Sequence, residues 1–187
     1  TGKVAFLDEL ERCHLTGESV LPDQLETCVV SHQRIIRREM LKCEMTGVWL
    51  SPVSATRSDM SGRVAHPDQI RRSERPPHRA GLPDEIAVCE FSGRTLLLDE
   101  LKRSAVSGRL AGRDVLEEVN GRLMHLSEVV QCAKTGQRLP LDETEVCSLS
   151  SKRVARDQLV KSAVSGRMLL SELAMACSVT GKFASPG

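Results

Sequence analysis

Residues 13–27, with the sequence CHLTGESVLPDQLET, are one copy of a unit that recurs along the whole chain. The unit opens with Cys or Ser, followed by two variable residues, then Ser or Thr, then Gly. Its glycine returns after 15 residues or a multiple of 15, with a few slips. A fixed short period predicts a repeat protein rather than a domain with a single core. The glycines of this signature are Gly2, Gly17, Gly47, Gly62, Gly93, Gly108, Gly121, Gly136, Gly166 and Gly181.

We call the glycine position the anchor and the Cys or Ser position the Cys/Ser slot. His32, Pro77 and Ser151 fill the missing anchors, which makes thirteen units. One residue is inserted between Pro77 and Gly93, and two are deleted between Gly108 and Gly121. All seven cysteines lie four residues before an anchor, so the sulfur has one fixed place in the unit. Serine takes the same slot at Ser58, Ser73, Ser104 and Ser162.

The unit predicts a short hairpin followed by a short helix. Glycine after Thr or Ser indicates a turn, because glycine adopts positive φ without a Cβ clash, and the apolar Leu15 and Val20 flank that turn. Pro22 and Asp23 then resemble a helix start, with a helix of one to two turns ending near the next Cys/Ser slot. So short a helix does not persist alone. We therefore predict an α+β fold, in which thirteen ββα units of about 15 residues stack as an elongated array.

Residues 71–83 break the pattern, since they are basic, rich in proline and out of register. This segment is predicted to be a hinge or bend between an N-terminal arm (residues 1–70) and a C-terminal arm (residues 84–187). Because the sequence starts and stops inside the repeated motif, we expect it to be a fragment of a larger protein.

The composition excludes several classes of protein. Only 2% of the residues are aromatic, which fits thin units with aliphatic cores, and no run of apolar residues is long enough to cross a membrane. The formal net charge is +1. The number of cysteines is odd and each is singly replaceable by serine, so we expect free thiols and a cytoplasmic location.

Metal binding and catalysis are the first chemical hypotheses. The signature resembles one arm of a zinc knuckle whose second cysteine has become Thr or Ser, so a degenerate zinc-knuckle array is one alternative. Each unit keeps at most one sulfur, however, and a buried structural cysteine is the favoured interpretation, with no metal and no cofactor. The five histidines share no common position and no nucleophile has an evident base. We predict neither an enzyme nor a small-molecule substrate.

A basic residue often follows the anchor, and a stack of units would align these residues in a stripe. Such a stripe predicts contact with a nucleic-acid backbone, although an acidic series with the same period and the lack of stacking aromatics count against it. The alternative is a series of Arg–Asp pairs between adjacent units. Trp49 is the lone tryptophan, and either contacts a partner or packs over the irregular residues 51–54. The predicted binding residues are Arg63, Arg94, Arg109, Arg122, Arg153, Arg167 and Trp49.

These observations favour a non-catalytic scaffold or docking module for protein–protein interaction inside a larger protein or assembly. The alternative is binding to a nucleic-acid backbone through the basic stripe, and the second alternative is the zinc-knuckle array. No membrane contact is expected.

Overall fold

The computed structural model describes residues 9–185, and this part of the chain consists of consecutive antiparallel hairpins. Each hairpin is a separate two-stranded sheet, and we number the twelve hairpins in chain order. The paired strands are Glu11–Arg12 with Ser19–Val20 (β1, β2), Leu25–Thr27 with Arg34–Ile36 (β3, β4), Leu41–Lys42 with Trp49–Leu50 (β5, β6), Thr56–Arg57 with Val64–Ala65 (β7, β8), Arg71–Arg72 with Ala80–Gly81 (β9, β10), Ile86–Val88 with Thr95–Leu97 (β11, β12), Leu101–Arg103 with Leu110–Gly112 (β13, β14), Leu116–Val119 with Arg122–His125 (β15, β16), Val129–Gln131 with Arg138–Pro140 (β17, β18), Thr144–Val146 with Arg153–Ala155 (β19, β20), Leu159–Lys161 with Met168–Leu170 (β21, β22) and Met175–Ala176 with Phe183–Ala184 (β23, β24).

Single 3-10 turns of three residues connect most hairpins. Residues 9–185 contain no α-helix, so the predicted α+β fold of ββα units is wrong. The turns are Pro22–Gln24, Arg37–Glu39, Pro67–Gln69, Pro83–Glu85, Leu98–Glu100, Arg113–Val115, Leu126–Glu128, Leu141–Glu143, Arg156–Gln158 and Ser171–Leu173.

The predicted helix fails because the chain returns to extended backbone after three residues. Leu25 has φ −95° and ψ 143°, and residues that were assigned to the helix end, Leu25–Thr27, form strand β3. The fixed φ of Pro22 suits the first residue of a 3-10 turn as well as that of a helix. The residue before the turn, Leu21, makes no side-chain cap. A proline and an acid therefore start a single turn here, and the rest of the unit is strand.

The hairpin turns explain the repeated glycine. Gly17 has φ +74°, a backbone conformation that is costly for residues with a Cβ, and the other described glycine anchors share it. His32 and Ser151 adopt it without being glycine, with φ values of 56° and 54°. In hairpin 5 the positive φ of 61° belongs to His78 and not to Pro77, so the assigned anchor is wrong by one residue. The inserted residue therefore lies inside this turn. The predicted first anchor, Gly2, lies outside the described residues.

The two-residue deletion has an equally local cause. In hairpin 8 the longer turn is replaced by Asn120-Gly121, with φ values of 53° and 74°. Two successive residues with positive φ form the tight turn that Asn-Gly favours between antiparallel strands.

One backbone hydrogen bond links most turns of the described chain to the hairpin that follows. The N–H group after the Cys/Ser slot donates to a carbonyl in the second strand of the next hairpin, as from His14 to Arg34 (3.0 Å) and from Ser148 to Met168 (2.9 Å). These contacts join residues about 20 positions apart. Neighbouring hairpins are therefore held by local pairings, as in other repeat proteins.

The described chain forms two compact units. The first contains the described residues up to Val88 together with Arg94–Glu100, and the second contains Cys89–Gly93 and the residues from Leu101 onward. Cys13, Cys28 and Ile35 belong to one core of the first unit, and Cys132 and Cys147 to a core of the second. Residues 71–83 fold as hairpin 5 inside the first unit, and the hinge stays a prediction. No helix of residues 9–185 has the length and apolar character to span a membrane.

Candidate interaction surface

Several of the buried cysteines fasten their own turn to the next hairpin. Cys89 Sγ accepts the N–H of Ser92, three residues later, and the N–H of Gly112 in the following hairpin, both at 3.4 Å. Cys28 Sγ accepts the N–H of Ser51 at 3.2 Å. These sulfurs are fully buried. At this slot the sulfur accepts hydrogen bonds from backbone N–H groups and thereby joins the turn to the next hairpin.

The same hydrogen bonds favour the thiolate form. Burial raises the pKa of Cys28, but the Ser51 N–H group that donates to its sulfur and the polar groups of the neighbouring Ser31 outweigh burial and lower that pKa to about 6. The pKa of Cys89 falls to about 7 for the same reasons, with burial opposing the N–H donors of Ser92 and Gly112.

The sulfurs do not assemble into a metal site in the described part of the chain. Within residues 9–185 no group of three or more His, Cys, Asp or Glu side chains could hold a metal ion. All seven cysteines are free, and Cys177 alone among them is exposed. The zinc-knuckle alternative thus has no support from side-chain geometry in these residues.

Serine in the slot uses a different joint. Ser73 Oγ donates to Glu100 Oε2 at 2.5 Å, and the same carboxylate oxygen accepts the N–H of Leu97 at 3.2 Å. Ser58 with Glu85 and Ser104 with Glu128 repeat this arrangement. A serine hydroxyl is shorter than a thiol, so the glutamate bridges it to the backbone N–H that a cysteine would reach directly.

Two of these buried glutamates, Glu85 and Glu128, have lowered pKa values, which favours their charged form. Burial raises the pKa of Glu85, but hydrogen bonds from the Leu82 N–H, from Ser58 and Ser61 and from Arg63 outweigh it and lower that pKa to about 2. The sequence pattern did not identify these residues as structural.

The signal that could have found the glutamates is a comparison of two positions in the unit. Every slot serine with a described partner faces a glutamate. This glutamate is the third residue of the second 3-10 turn after the serine. After a cysteine that position varies, with Glu39, Ser54, Gln69, Val115, Gln158 and Leu173.

Three of the predicted binding arginines take part in ion pairs. Arg63 contacts Asp84 at 2.7 Å and Glu85 at 2.8 Å. Arg122 contacts Asp142 and Glu143, both at 2.8 Å. These pairs match the Arg–Asp alternative, because each joins an arginine after one anchor to the acidic turn that follows the next hairpin.

Arg109 is held by a ring as well as by charge. Its guanidinium lies 3.4 Å from the Glu90 carboxylate and 4.5 Å from the centre of the Phe91 ring. His125 stacks on the same ring at 4.1 Å. All of these contacts of Arg109 are with residues of the second compact unit.

The other predicted site residues have separate environments. Arg153 donates to the Thr144 hydroxyl at 3.3 Å, and Arg94 also interacts with another group. Arg167 is exposed and has no ion pair with any residue of the described part. Trp49 is half-buried against the first core, with Arg37 5.4 Å from its ring centre. The binding role of the seven residues stays a prediction.

A different set of side chains recurs at the hairpin tips. The third residue of the signature is aliphatic or Met in most units. In seven of these units it is exposed, to between 39% and 47% in five of them. Val164 and Val179 are 86% and 90% exposed. We call these residues the apolar tips: Leu15, Val30, Met45 and Met60 in the first unit, and Leu149, Val164 and Val179 in the second.

Two grooves occupy equivalent places in the two units. The first has a volume of about 420 Å³ and the second about 410 Å³. Their walls correspond position by position: Ser31 with Thr135, Gln33 with Gln137, Ile35 with Leu139, and Val53 with Asp157. Each groove lies between one turn and the connection that follows the next hairpin.

Comparison with protein-family models, with curated proteins and with solved structures found no match for this chain. The class of protein is therefore defined by the arrangement of its hairpins alone. The described part of the chain is a repeated β-hairpin protein.

Proposed function

We propose that the chain is a non-catalytic docking module that binds an extended segment of a protein partner along its hairpin turns. The observation that carries this proposal is the series of apolar tips, in which the same turn position exposes an aliphatic or methionine side chain in hairpins 1–4 and again in hairpins 10–12. Exposed apolar residues in a repeated arrangement are typical of protein-binding surfaces. A location within a larger protein or assembly is part of the same proposal.

Nucleic-acid binding is the weaker alternative. Arg63 and Arg122 are each shared between two carboxylates, which leaves less charge for phosphates. Arg109 is occupied by Glu90 and Phe91. The apolar tips are aliphatic and offer no ring on which a base could stack.

A cytoplasmic location stays part of the proposal. Seven free cysteines, six of them buried in hairpin cores, fit a reducing compartment.

Selection from a random peptide library tests the docking function. We expect peptides that bind the wild-type chain and lose binding to the variant L15S/V30S/M45S/M60S. The matched control is V88S/L98S, because Val88 and Leu98 are also exposed but do not lie at hairpin tips. Peptides that bind all three proteins equally, or a selection that yields none, would contradict the proposal.

The nucleic-acid alternative has its own assay. Anisotropy of labelled single-stranded and double-stranded DNA is measured at low and moderate salt. Binding that weakens steeply with salt, and that the tip variant retains, would favour the basic stripe over the apolar tips.

A further inference from the structure

The groove of the first compact unit breaks the repeat in a way that its counterpart does not. It lies beside the turn of hairpin 2, with Ile35 in its wall and Leu15 and Val53 among its exposed lining residues. Ser54 and Gln33 supply polar groups to the lining.

The break is local and concerns residues 52–54. Residues 52–54 follow hairpin 3 and form a turn closed by serines. The connections that follow hairpin 2 and hairpins 4–11 each contain a 3-10 turn instead. Ser51 Oγ donates to Ser54 Oγ at 2.8 Å, and the Ser54 N–H donates to Ser51 Oγ at 3.1 Å. The turn thus presents Val53 outward, with 86% of the residue exposed.

The residue at this exposed position is acidic in eight of the ten 3-10 turns. An exposed valine contributes no burial to the fold, and a charged residue would be better solvated there. A departure from a local rule with no gain in the folded state is typical of a functional site. The acidic equivalents are Asp23, Asp68, Asp84, Asp99, Asp114, Asp142, Asp157 and Glu172.

The counterpart groove in the second unit shows what the repeat supplies by default. It carries Asp142, Glu143 and Asp157 together with Arg156, whereas the lining of the first groove holds no carboxylate, no Lys or Arg, and His14 as its one titratable side chain. An uncharged groove with an aliphatic wall matches an uncharged, aliphatic ligand group.

We propose that the groove beside hairpin 2 binds a leucine-like side chain from an uncharged segment of a protein partner, and that Val53 determines this preference. The inference rests on the proposed docking function and names the chemistry of the segment. A volume of about 420 Å³ accommodates one such side chain with its flanking backbone, to which Gln33 and Ser54 can offer hydrogen bonds. The lining offers no Lys or Arg to the phosphates of a nucleic acid.

Methyl and amide NMR titration of the full chain tests the proposal. The probe is the blocked peptide acetyl-Gly-Leu-Gly-amide, compared with the same peptide carrying Lys or Ser in place of Leu. We expect saturable shifts of Leu15, Ile35 and Val53 with the leucine peptide alone. Binding to V53D should be weaker by about tenfold, since the aliphatic contact is replaced by a charge. V53I should bind as well as wild type.

The outcomes separate this proposal from the docking function. Equal binding to wild type and V53D, or equal binding of the lysine peptide, would overturn the assignment of the groove. The docking function would still stand if library peptides bound through the apolar tips. Should neither the leucine peptide nor any library peptide bind, both proposals fail. Wild-type chemical shifts of hairpins 4 and 5, which belong to the same compact unit as Val53 but do not line the groove, show that this unit is folded in V53D.

Discussion

Ser73 and Glu100 share a buried hydrogen bond of 2.5 Å although they lie 27 residues apart. The carboxylate also holds the Leu97 N–H, so one side chain closes the joint between two hairpins. In other hairpins a single sulfur performs this task, as Cys89 does for Gly112. The fold therefore has two interchangeable joints, one with cysteine and one with serine and glutamate.

Exchange of the two joints should require both residues. S73A is expected to destabilise the protein by about 1–3 kcal/mol, because the buried Glu100 carboxyl group loses a hydrogen-bond donor. S73C should also destabilise, since a bulkier thiol meets the carboxylate. The double variant S73C/E100Q copies the pair Cys43 and Gln69, whose Sγ and Oε1 atoms lie 3.4 Å apart. Urea unfolding should show that E100Q costs less in the S73C background, and strict additivity of the two changes would contradict a shared joint.

The Glu85 carboxylate should give the protein an acid-sensitive component. Its pKa is lowered from 4.5 to about 2 in the folded state, so its contribution to stability is complete above about pH 4.5 and is lost as the pH falls toward 2. E85Q is expected to reduce stability at neutral pH by about 1–3 kcal/mol and to flatten this part of the pH profile. The matched control is E39Q, since Glu39 has the same position in its turn but faces Arg38. A profile that stays as steep in E85Q as in E39Q would contradict this role.

Cys28 should make the free energy of unfolding depend on pH in the neutral to alkaline range. Its pKa is about 6 when folded and near the ordinary 9 when unfolded, so the unfolded chain binds more protons between these values. The free energy of unfolding should therefore rise with pH over this range, and less so in C28S. Thiolate absorbance, followed by pH titration of the native protein under reducing conditions, checks the assignment directly. If the difference between wild type and C28S titrates near pH 9 in the native state, the N–H donors do not stabilise the thiolate.

The positive φ at the anchors predicts a pair of opposite effects. Ser151 has φ 54°, which costs about 1–2 kcal/mol for a residue with a Cβ, so S151G should stabilise by about 0.5 kcal/mol after the added chain entropy of glycine. G166A, at φ 70°, should destabilise by about 1 kcal/mol. Thermal unfolding of both variants measures the difference. Equal effects of the two changes would show that the turn relaxes to another conformation.

The turn register was predictable from the sequence because it depends on one residue and its own φ. Glycine recurs at the anchor for a reason that needs no neighbour, and Asn120 with Gly121 marks its tight turn just as locally. Pro77 was misassigned because an inserted residue moved the positive φ to His78. The helix was mispredicted because Pro22 and Asp23 are as compatible with one 3-10 turn as with a longer helix, and no side-chain period distinguishes segments this short.

The joints were hidden from local patterns for a different reason. Glu85 resembles a surface charge in its own unit, and its burial follows from Ser58, almost two units earlier. The two grooves require the third dimension as well, since Ser31 and Val53 come from different turns. Val53 was visible in the sequence only as part of an irregular segment.

The serine–glutamate joint also constrains how such a gene can be rearranged. A duplication or crossover that cuts between Ser58 and Glu85 separates a donor from a buried carboxylate, although it preserves every turn and the 15-residue spacing. Recombination is therefore tolerated at boundaries that keep both members of each joint together. The stability of a chimera of two such chains therefore depends on the splice point. The segment that must be kept intact is longer than the 15-residue repeat.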